Sequence, residues 1–355
     1  MSIEALARAE IVAMKPYSSA RKEAPGRGVL MNANESPWSL LENTGLNRYP
    51  DPQPAQLVAK LAALYDAPQD HILVTRGSDE GIDLLTRVFC RAGQDAILQC
   101  PPNFGMYRIA AQTQGAGIIS VPRLPGFQLD IEGVLERLRQ DDSIRLVFLT
   151  SPNNPTGDVI EPEVLVSVLE AARDRAVVVV DEAYAEFCKQ PSASRLVAEN
   201  EHLVVLRTLS KAWAAAGLRC GTVIAQPVVI SLLRRIIAPY PLPSPVVELA
   251  LRMLEEQVLG RQQSMLREIA ANKKILLSLL ENRGFIHEIL PGEANFVLIR
   301  PEQPDELLSW CAQHKVILRG FPADPDLQDW IRISVGSEAD IAALNSALDA
   351  WEKQA

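Results

Sequence analysis

The stretch IRLVFLTSPNNPTGDVIEPEVLVSVLEAARDRAVVVVDEAYAEF, residues 144–187, decides how this chain folds. It opens on the apolar run IRLVFLT and passes through the turn cluster SPNNPTG. A segment with apolar residues at helical spacing follows, EVLVSVLEAARD, and then a second apolar run, AVVVVD. Apolar runs without polar alternation are strands buried on both faces, and a strand–helix–strand unit pairs its strands in parallel. The same alternation extends outward. QLVAKLAALY, HILVT, DEGIDLLTRVFC, AILQC, FGMYRIAAQTQG, GIISV and IEGVLERLRQ precede it, and LVVLRT and GTVIA follow. The expected fold is α/β, a mostly parallel sheet flanked by helices.

Both ends of the chain read differently. Residues 1–50 hold one short helical stretch among turn-rich segments and predict an arm that wraps over other parts of the molecule. The proline-rich PYPLPSPV, near residues 239–247, marks a break. Beyond it the pattern predicts a long helical stretch from 247 to 283 interrupted near Gly260, then FIHEIL, NFVLIR, a helix at 304–314, VILR, DWIRISV and a helix at 338–352. This describes a smaller α+β domain. The expected division is an arm at 1–50, a large domain at 51–245 and a small domain at 246–355. The 355 residues exceed the roughly 250–300 at which single cores stop growing.

A net charge of −9 argues against a nucleic-acid or membrane-surface partner, since both require basic patches. Cys90, Cys100, Cys188, Cys220 and Cys311 are scattered without metal spacing, as reduced thiols in a cytoplasm would be. Dispersed histidines make a metal site unexpected. The N-terminal segment lacks the apolar core of a signal peptide, and no segment approaches the ~20 apolar residues that span a bilayer.

Four motifs carry chemistry. In TLSKAWAAAGLRCG (208–221), Lys211 follows a strand end and small residues surround it, with Arg219 further on. Lysine at a strand end is ordinarily solvated. Here small residues let a ligand approach the backbone, and the arginine supplies fixed positive charge for a phosphate. In SPNNPTG (151–157), turn formers sit at the carboxyl edge of a strand, where open parallel sheets bind ligands, and the Asn154 amide can donate there. In VVVVDEAYAEF (177–187), Asp181 ends a strand of four valines. It is either a helix N-cap or the partner of a buried cation, with Tyr184 in reach of the same group. In TRGSDEGIDLL (75–85), Ser78 and Asp79 open a helix, whose free N–H groups attract anions.

Taken in order, these motifs resemble the fold-type I pyridoxal-phosphate-dependent aminotransferases. Within them, NANESP, LNRYPDP, RGSDEGIDLL, PPNFGMY and APYPLPSPV are similar to the histidinol-phosphate aminotransferase family, over nearly the whole chain from Tyr17. The resemblance implies that Lys211 carries pyridoxal 5′-phosphate as a Schiff base and moves the substrate proton. It implies that Asp181 partners the pyridine nitrogen and that Asn154 and Tyr184 bind the ring oxygen. Phe104 stacks on the ring, where related enzymes often have tyrosine. Ser78, Asp79, Ser210 and Arg219 hold the phosphate, completed by Tyr49 from the neighbouring subunit of a homodimer. Tyr17, Asn34, Asn154, Arg319 and Arg332 bind substrate, with Asn32 shaping the same loop. The implied substrates are histidinol phosphate and glutamate or 2-oxoglutarate. Arg319 also reads as an ordinary surface arginine. The neighbouring activities are threonine-phosphate decarboxylation and broad aromatic transamination. A regulator built on this body would carry a DNA-binding module, and with no basic or helix-turn-helix stretch among these residues that reading is not expected.

Overall fold

Seven of the apolar runs form one sheet: β1 (Ile72–Thr75), β2 (Ala96–Gln99), β3 (Gly117–Ser120), β4 (Ile144–Thr150), β5 (Val177–Asp181), β6 (Leu203–Thr208) and β7 (Gly221–Ala225). The structure is a computed structural model that describes residues 2–17, 28–42 and 44–354. Strand order is β1-β7-β6-β5-β4-β2-β3. Strands β2 to β6 run parallel, whereas β7 is antiparallel to both β6 and β1. The reversal has a local cause. The connection Leu209–Cys220 contains only a short 3-10 turn at Ala216–Leu218, so no crossover helix is available to return the chain in parallel.

β5 explains the two-sided core. Val178 and Val180 pack into one apolar cluster, and Val177 and Val179 into the other. Each buried valine contributes about 1.5–3 kcal/mol relative to exposure. The helices, in chain order, are α1 (Ala9–Ala13), α2 (Ala55–Leu64), α3 (Gly77–Phe89), α4 (Met106–Gln114), α5 (Ile131–Gln140), α6 (Pro162–Ala172), α7 (Pro227–Arg234), α8 (Ser244–Met253), α9 (Glu256–Glu281), α10 (Pro304–Gln313) and α11 (Glu338–Glu352). Leu57 and Leu61 of α2, Val134 of α5 and Val168 of α6 cover the first face. Ile82 and Leu85 of α3, Tyr107 of α4 and Ile230 of α7 cover the second.

The C-terminal part builds a four-stranded antiparallel sheet of order β10-β11-β9-β8, from β8 (Ile286–Leu290), β9 (Phe296–Pro301), β10 (Arg319–Gly320) and β11 (Ile331–Ser334). α9, α10 and α11 pack on it through Leu276, Leu307 and Leu344.

The local structure departs from the sequence reading at three places. The long helical stretch is two helices, α8 and α9, broken at Leu254–Glu255, where Glu255 is extended at φ −81°, ψ 146°. Gly260 lies inside α9, where an exposed glycine costs about 1 kcal/mol and a long helix absorbs it. VILR contributes only Arg319 to a strand. α7, after the prolyl start at Pro227, was not anticipated. Among the described residues, no helix is long and apolar enough to cross a membrane.

Candidate active site

The register of the large sheet brings the four motifs to one edge. Thr150 pairs with Asp181 and Asp181 with Leu206 across β4, β5 and β6. Thr208 and Thr75 both pair with Gly221, at the start of the reversed strand. The loops that leave these strand ends line a cavity of about 260 Å3, walled by Ser78, Asp79, Phe104, Asn154, Asp181, Tyr184, Ser210, Lys211, Arg219 and Arg332.

Lys211 is among the residues that line it, with Nζ 5.6 Å from the centroid of the Tyr184 ring. Burial lowers its pKa, and the charges of Arg332 and Arg219 push the same way against Asp79 and Asp181. The loop is braced from behind. Trp213 Nε1 donates to Glu186 at 3.3 Å, and Glu182 and Glu186 each accept from the buried Arg207 at 2.8 Å. Removing one partner from a buried pair of this kind typically costs 3–5 kcal/mol.

Asp181 is 2% exposed. Its Oδ2 accepts from the Tyr107 hydroxyl at 2.8 Å and its Oδ1 from Ala183 N–H at 3.1 Å. Burial nevertheless raises its pKa to about 6, offset in part by those two hydrogen bonds. Neutral donors alone leave this carboxylate undercompensated, and a cation is the partner it lacks. Tyr107 was not singled out in the sequence. It lies at the start of α4, three residues after Phe104, and only tertiary packing brings its hydroxyl to Asp181.

The anion side of the cavity is formed by α3 and the Ser210–Arg219 loop. An added Cβ at Gly221 would strike the Gly77 carbonyl carbon and the Ser78 nitrogen. Glycine at 221 is therefore what lets β7 start flush against the N-terminus of α3. The first-turn amides of α3 have no partners within the helix and favour an anion. Beside them, Arg219 donates to Ser210 Oγ at 3.2 Å and to the Asp79 carboxylate at 3.0 Å.

Arg332, from β11, closes the cavity. It donates to Asn154 Oδ1, and its Cζ lies 5.2 Å from the Phe296 ring centroid. With Oδ1 engaged, the amide N–H groups are the end of Asn154 left for a ligand acceptor. Arg332 Nε is buried and has no hydrogen-bond partner among the described residues. Burial lowers the Arg332 pKa, and Arg319 adds to that effect.

Tyr17, Asn34, Tyr49 and Arg319 lie outside this cavity. Arg319 pairs with Arg332 across the sheet, with its guanidinium over Phe321 at 5.5 Å. Tyr17 is exposed. Asn34 and Tyr49 line a separate hollow with Arg48 and Pro243, where Tyr49 stacks on Tyr240 at 4.4 Å. Asn32 belongs to the same arm. A further cavity of about 180 Å3, lined by Pro152, Ile160, Leu165 and Cys188, has Glu182 as its only acid. That carboxylate is already bound by Arg207, Ser192 and Ala193 N–H, so this cavity offers no free acid. Among the described residues, no cluster is placed to hold a metal ion.

A lysine amine, a buried acid without a cation, an amide donor and an anion cradle at one edge fit pyridoxal 5′-phosphate. Its pyridinium would be the cation Asp181 lacks, and its phosphate would match the α3 amides with Arg219. Residues 18–348 match the family described as aminotransferase class I and II. Fold and site thus define a pyridoxal-phosphate-dependent transaminase. A protein of Aeromonas hydrophila named histidinol-phosphate aminotransferase is 42% identical over 351 residues, 98% of each chain. The crystal structure of the enzyme of that name from Clostridium acetobutylicum superposes with a TM-score of 0.80 at 22% identity, covering 88% of this chain and 92% of that one. One from Sinorhizobium meliloti, in complex with pyridoxal-5′-phosphate, gives 0.79 at 22% identity, covering 87% and 84%. The chain belongs to the class I and II aminotransferases, within the histidinol-phosphate aminotransferase family.

Proposed function

We propose that this enzyme transfers the amino group between L-histidinol phosphate and 2-oxoglutarate, giving imidazole acetol phosphate and L-glutamate, as a cytoplasmic homodimer of the histidine-biosynthetic route. The observation that carries this reading is Arg332, a desolvated guanidinium sharing one cavity with Lys211. Such a group anchors an anionic substrate while its amine faces the lysine.

The remaining residues take roles that their geometry supports. Lys211 removes the proton from the substrate's Cα, and its lowered pKa enlarges the neutral fraction able to do so. The bound cofactor supplies an electron sink for the charge left behind. Asp181 keeps a positive charge on the ring nitrogen. Asn154 and Tyr184 donate to the ring oxygen. Phe104 covers the ring face without offering a hydroxyl. Ser78, Asp79, Ser210 and Arg219 hold the phosphate. Arg332 holds the substrate from within the cavity, whereas Tyr17, Asn34 and Arg319, which lie outside it, are assigned to the substrate by the family resemblance alone.

The test is glutamate formation from 2-oxoglutarate with histidinol phosphate, phenylalanine or phosphothreonine as donor, together with CO2 capture. Histidinol phosphate should be the best donor; CO2 release from phosphothreonine in place of glutamate formation would overturn the reading. In single half-reactions, Arg319→Ala should lower kcat/KM for histidinol phosphate by about 10- to 150-fold, the value of a charge-assisted hydrogen bond, and lower it less for glutamate. Equal losses would remove Arg319 as a phosphate-selective group.

The dimer reading has its own support. Val29, Met31, Trp38 and Leu40 of the arm are exposed, an apolar run suited to a second copy. If Tyr49 serves the neighbouring site, Tyr49→Ala and Lys211→Ala dimers, each of low activity, should recover about a quarter of wild-type activity when unfolded and reassembled together. No recovery would place Tyr49 in its own chain's site or outside any site.

A further inference from the structure

Arg123 is a buried cation away from the Lys211 cavity, with its side chain 2% exposed. It precedes α5 on a connecting segment, and its donors join three loops: its own and two others. Nη1 donates to the Asp158 carboxylate at 2.6 Å and to the Phe127 carbonyl at 2.8 Å, and Nε donates to the Cys100 carbonyl at 3.3 Å. Each loop leads to a part of the active site.

Cys100 begins the segment that carries Phe104. Asp158 follows the turn that carries Asn154; its carboxylate accepts from Thr156 and its carbonyl accepts from Asn153 N–H at 2.8 Å. Asn153 ties the first two loops together, donating to the Pro102 carbonyl at 3.0 Å. The third loop reaches the small domain. Phe127 packs edge-on against Trp330, with centroids 5.2 Å apart, within the cluster of Leu298, Leu327 and Phe321. Trp330 is two residues from Arg332, and Phe321 carries the Arg319 guanidinium. Phe127 holds φ at +59°, a region a bulky side chain adopts only when its surroundings maintain it. The bond from Arg123 to its carbonyl is such a restraint.

We propose that Arg123, with Asp158, is a positioning residue that fixes Phe104 and Asn154 against the cofactor and, through Phe127 and Trp330, sets the substrate-binding arginines over Lys211. It touches neither substrate nor cofactor. The inference rests on the transaminase reading for what those residues bind, but not on the identity of the amino donor.

Two variants separate the two arms. Arg123→Met keeps the length and apolar stem of the side chain while removing its donors. It leaves Asp158 at 31% exposure, where water can replace the arginine. Phe127→Gly suits the left-handed backbone and deletes the whole side chain, ring and Cβ together. The full-length apoprotein is titrated with pyridoxal phosphate, and the holoenzyme is assayed with glutamate, a donor that does not depend on the histidinol-phosphate reading. Arg123→Met should weaken cofactor binding and raise KM for glutamate by about tenfold or more each, the loss of a hydrogen bond from a charged group. kcat per loaded site should fall by less. Phe127→Gly should raise KM similarly and leave cofactor affinity unchanged. If Arg123→Met lowers only the melting temperature, with cofactor affinity and KM at wild-type values, Arg123 is structural and the proposal fails. It also fails if Phe127→Gly leaves KM unchanged. Neither result bears on whether the wild type uses histidinol phosphate, which the donor assay reads separately.

Discussion

Lys211→Ala should lower kcat by at least about a thousandfold while the protein stays folded, the scale of loss seen when a catalytic group acting as nucleophile and base is removed. Among the described residues, no other lysine lines the cavity. Arg219 and Arg332 do, but a guanidinium stays protonated and cannot replace the amine. The substitution removes a cation exposed to the open cavity and leaves the apolar packing of Ala212 and Trp213 in place, so stability should change little. Cofactor should still bind, through the α3 amides, Arg219 and Asp181, but it should dialyse away because the covalent link is gone. Borohydride reduction of the wild type followed by peptide mapping checks the assignment. The label should fall on Lys211, and a labelled peptide containing any other lysine would contradict it.

Asp181→Asn should produce the second largest loss, a fall of about 10²–10⁴ in the rate of Cα proton removal with cofactor still bound, a range typical of lost acid–base assistance. The substitution preserves shape and the Ala183 N–H bond to Oδ1, and the new amide N–H can donate to the Tyr107 hydroxyl, which turns its proton to Thr150. What it removes is the charge facing the ring nitrogen. A near-normal rate would reduce Asp181 to a cap of the turn at Ala183. The same change carries a pH signature in the apoprotein. The folded pKa of Asp181 is raised to about 6 from the ordinary 3.8, so between those values the folded state holds a proton that the unfolded state has released. Stability therefore falls as pH rises through that window, by about 3 kcal/mol once both states are ionised. Asp181→Asn should flatten this segment of the stability curve in denaturant titrations.

Much of this architecture was legible because it is encoded locally. The valine run of β5 and the amphipathic helices on either side announce buried parallel strands, and Asp181, Asn154, Ser210 and Lys211 follow strand ends that sequence alone can locate. Features encoded by tertiary packing were not. The reversal of β7 depends on the connection Leu209–Cys220 being too short for a crossover helix, and a short apolar strand carries no mark of its direction. Gly260 reads as a helix break, yet the chain breaks at Leu254–Glu255, which contains neither glycine nor proline. Tyr107 and Arg123 look like ordinary residues of a helix and a loop. Their importance lies in partners 74 and 35 positions away, Asp181 and Asp158. The positions of Tyr49, Asn34 and Tyr17 outside the Lys211 cavity follow from their place on the arm, whose exposed apolar residues suit a second chain.

In the proposed reaction Lys211 exchanges with the amine of a phosphate-bearing donor while Arg332 holds the donor's anion, and rapid mixing of holoenzyme with that donor reads both. Histidinol phosphate alone should bleach the visible band of the Lys211-bound cofactor in a single exponential, and 2-oxoglutarate added afterwards should restore it with one glutamate formed per site. Histidinol, lacking the phosphate, should act at least about tenfold less efficiently, the loss of one charge-assisted contact. A band that histidinol phosphate leaves unchanged, or that histidinol bleaches equally well, would contradict the account.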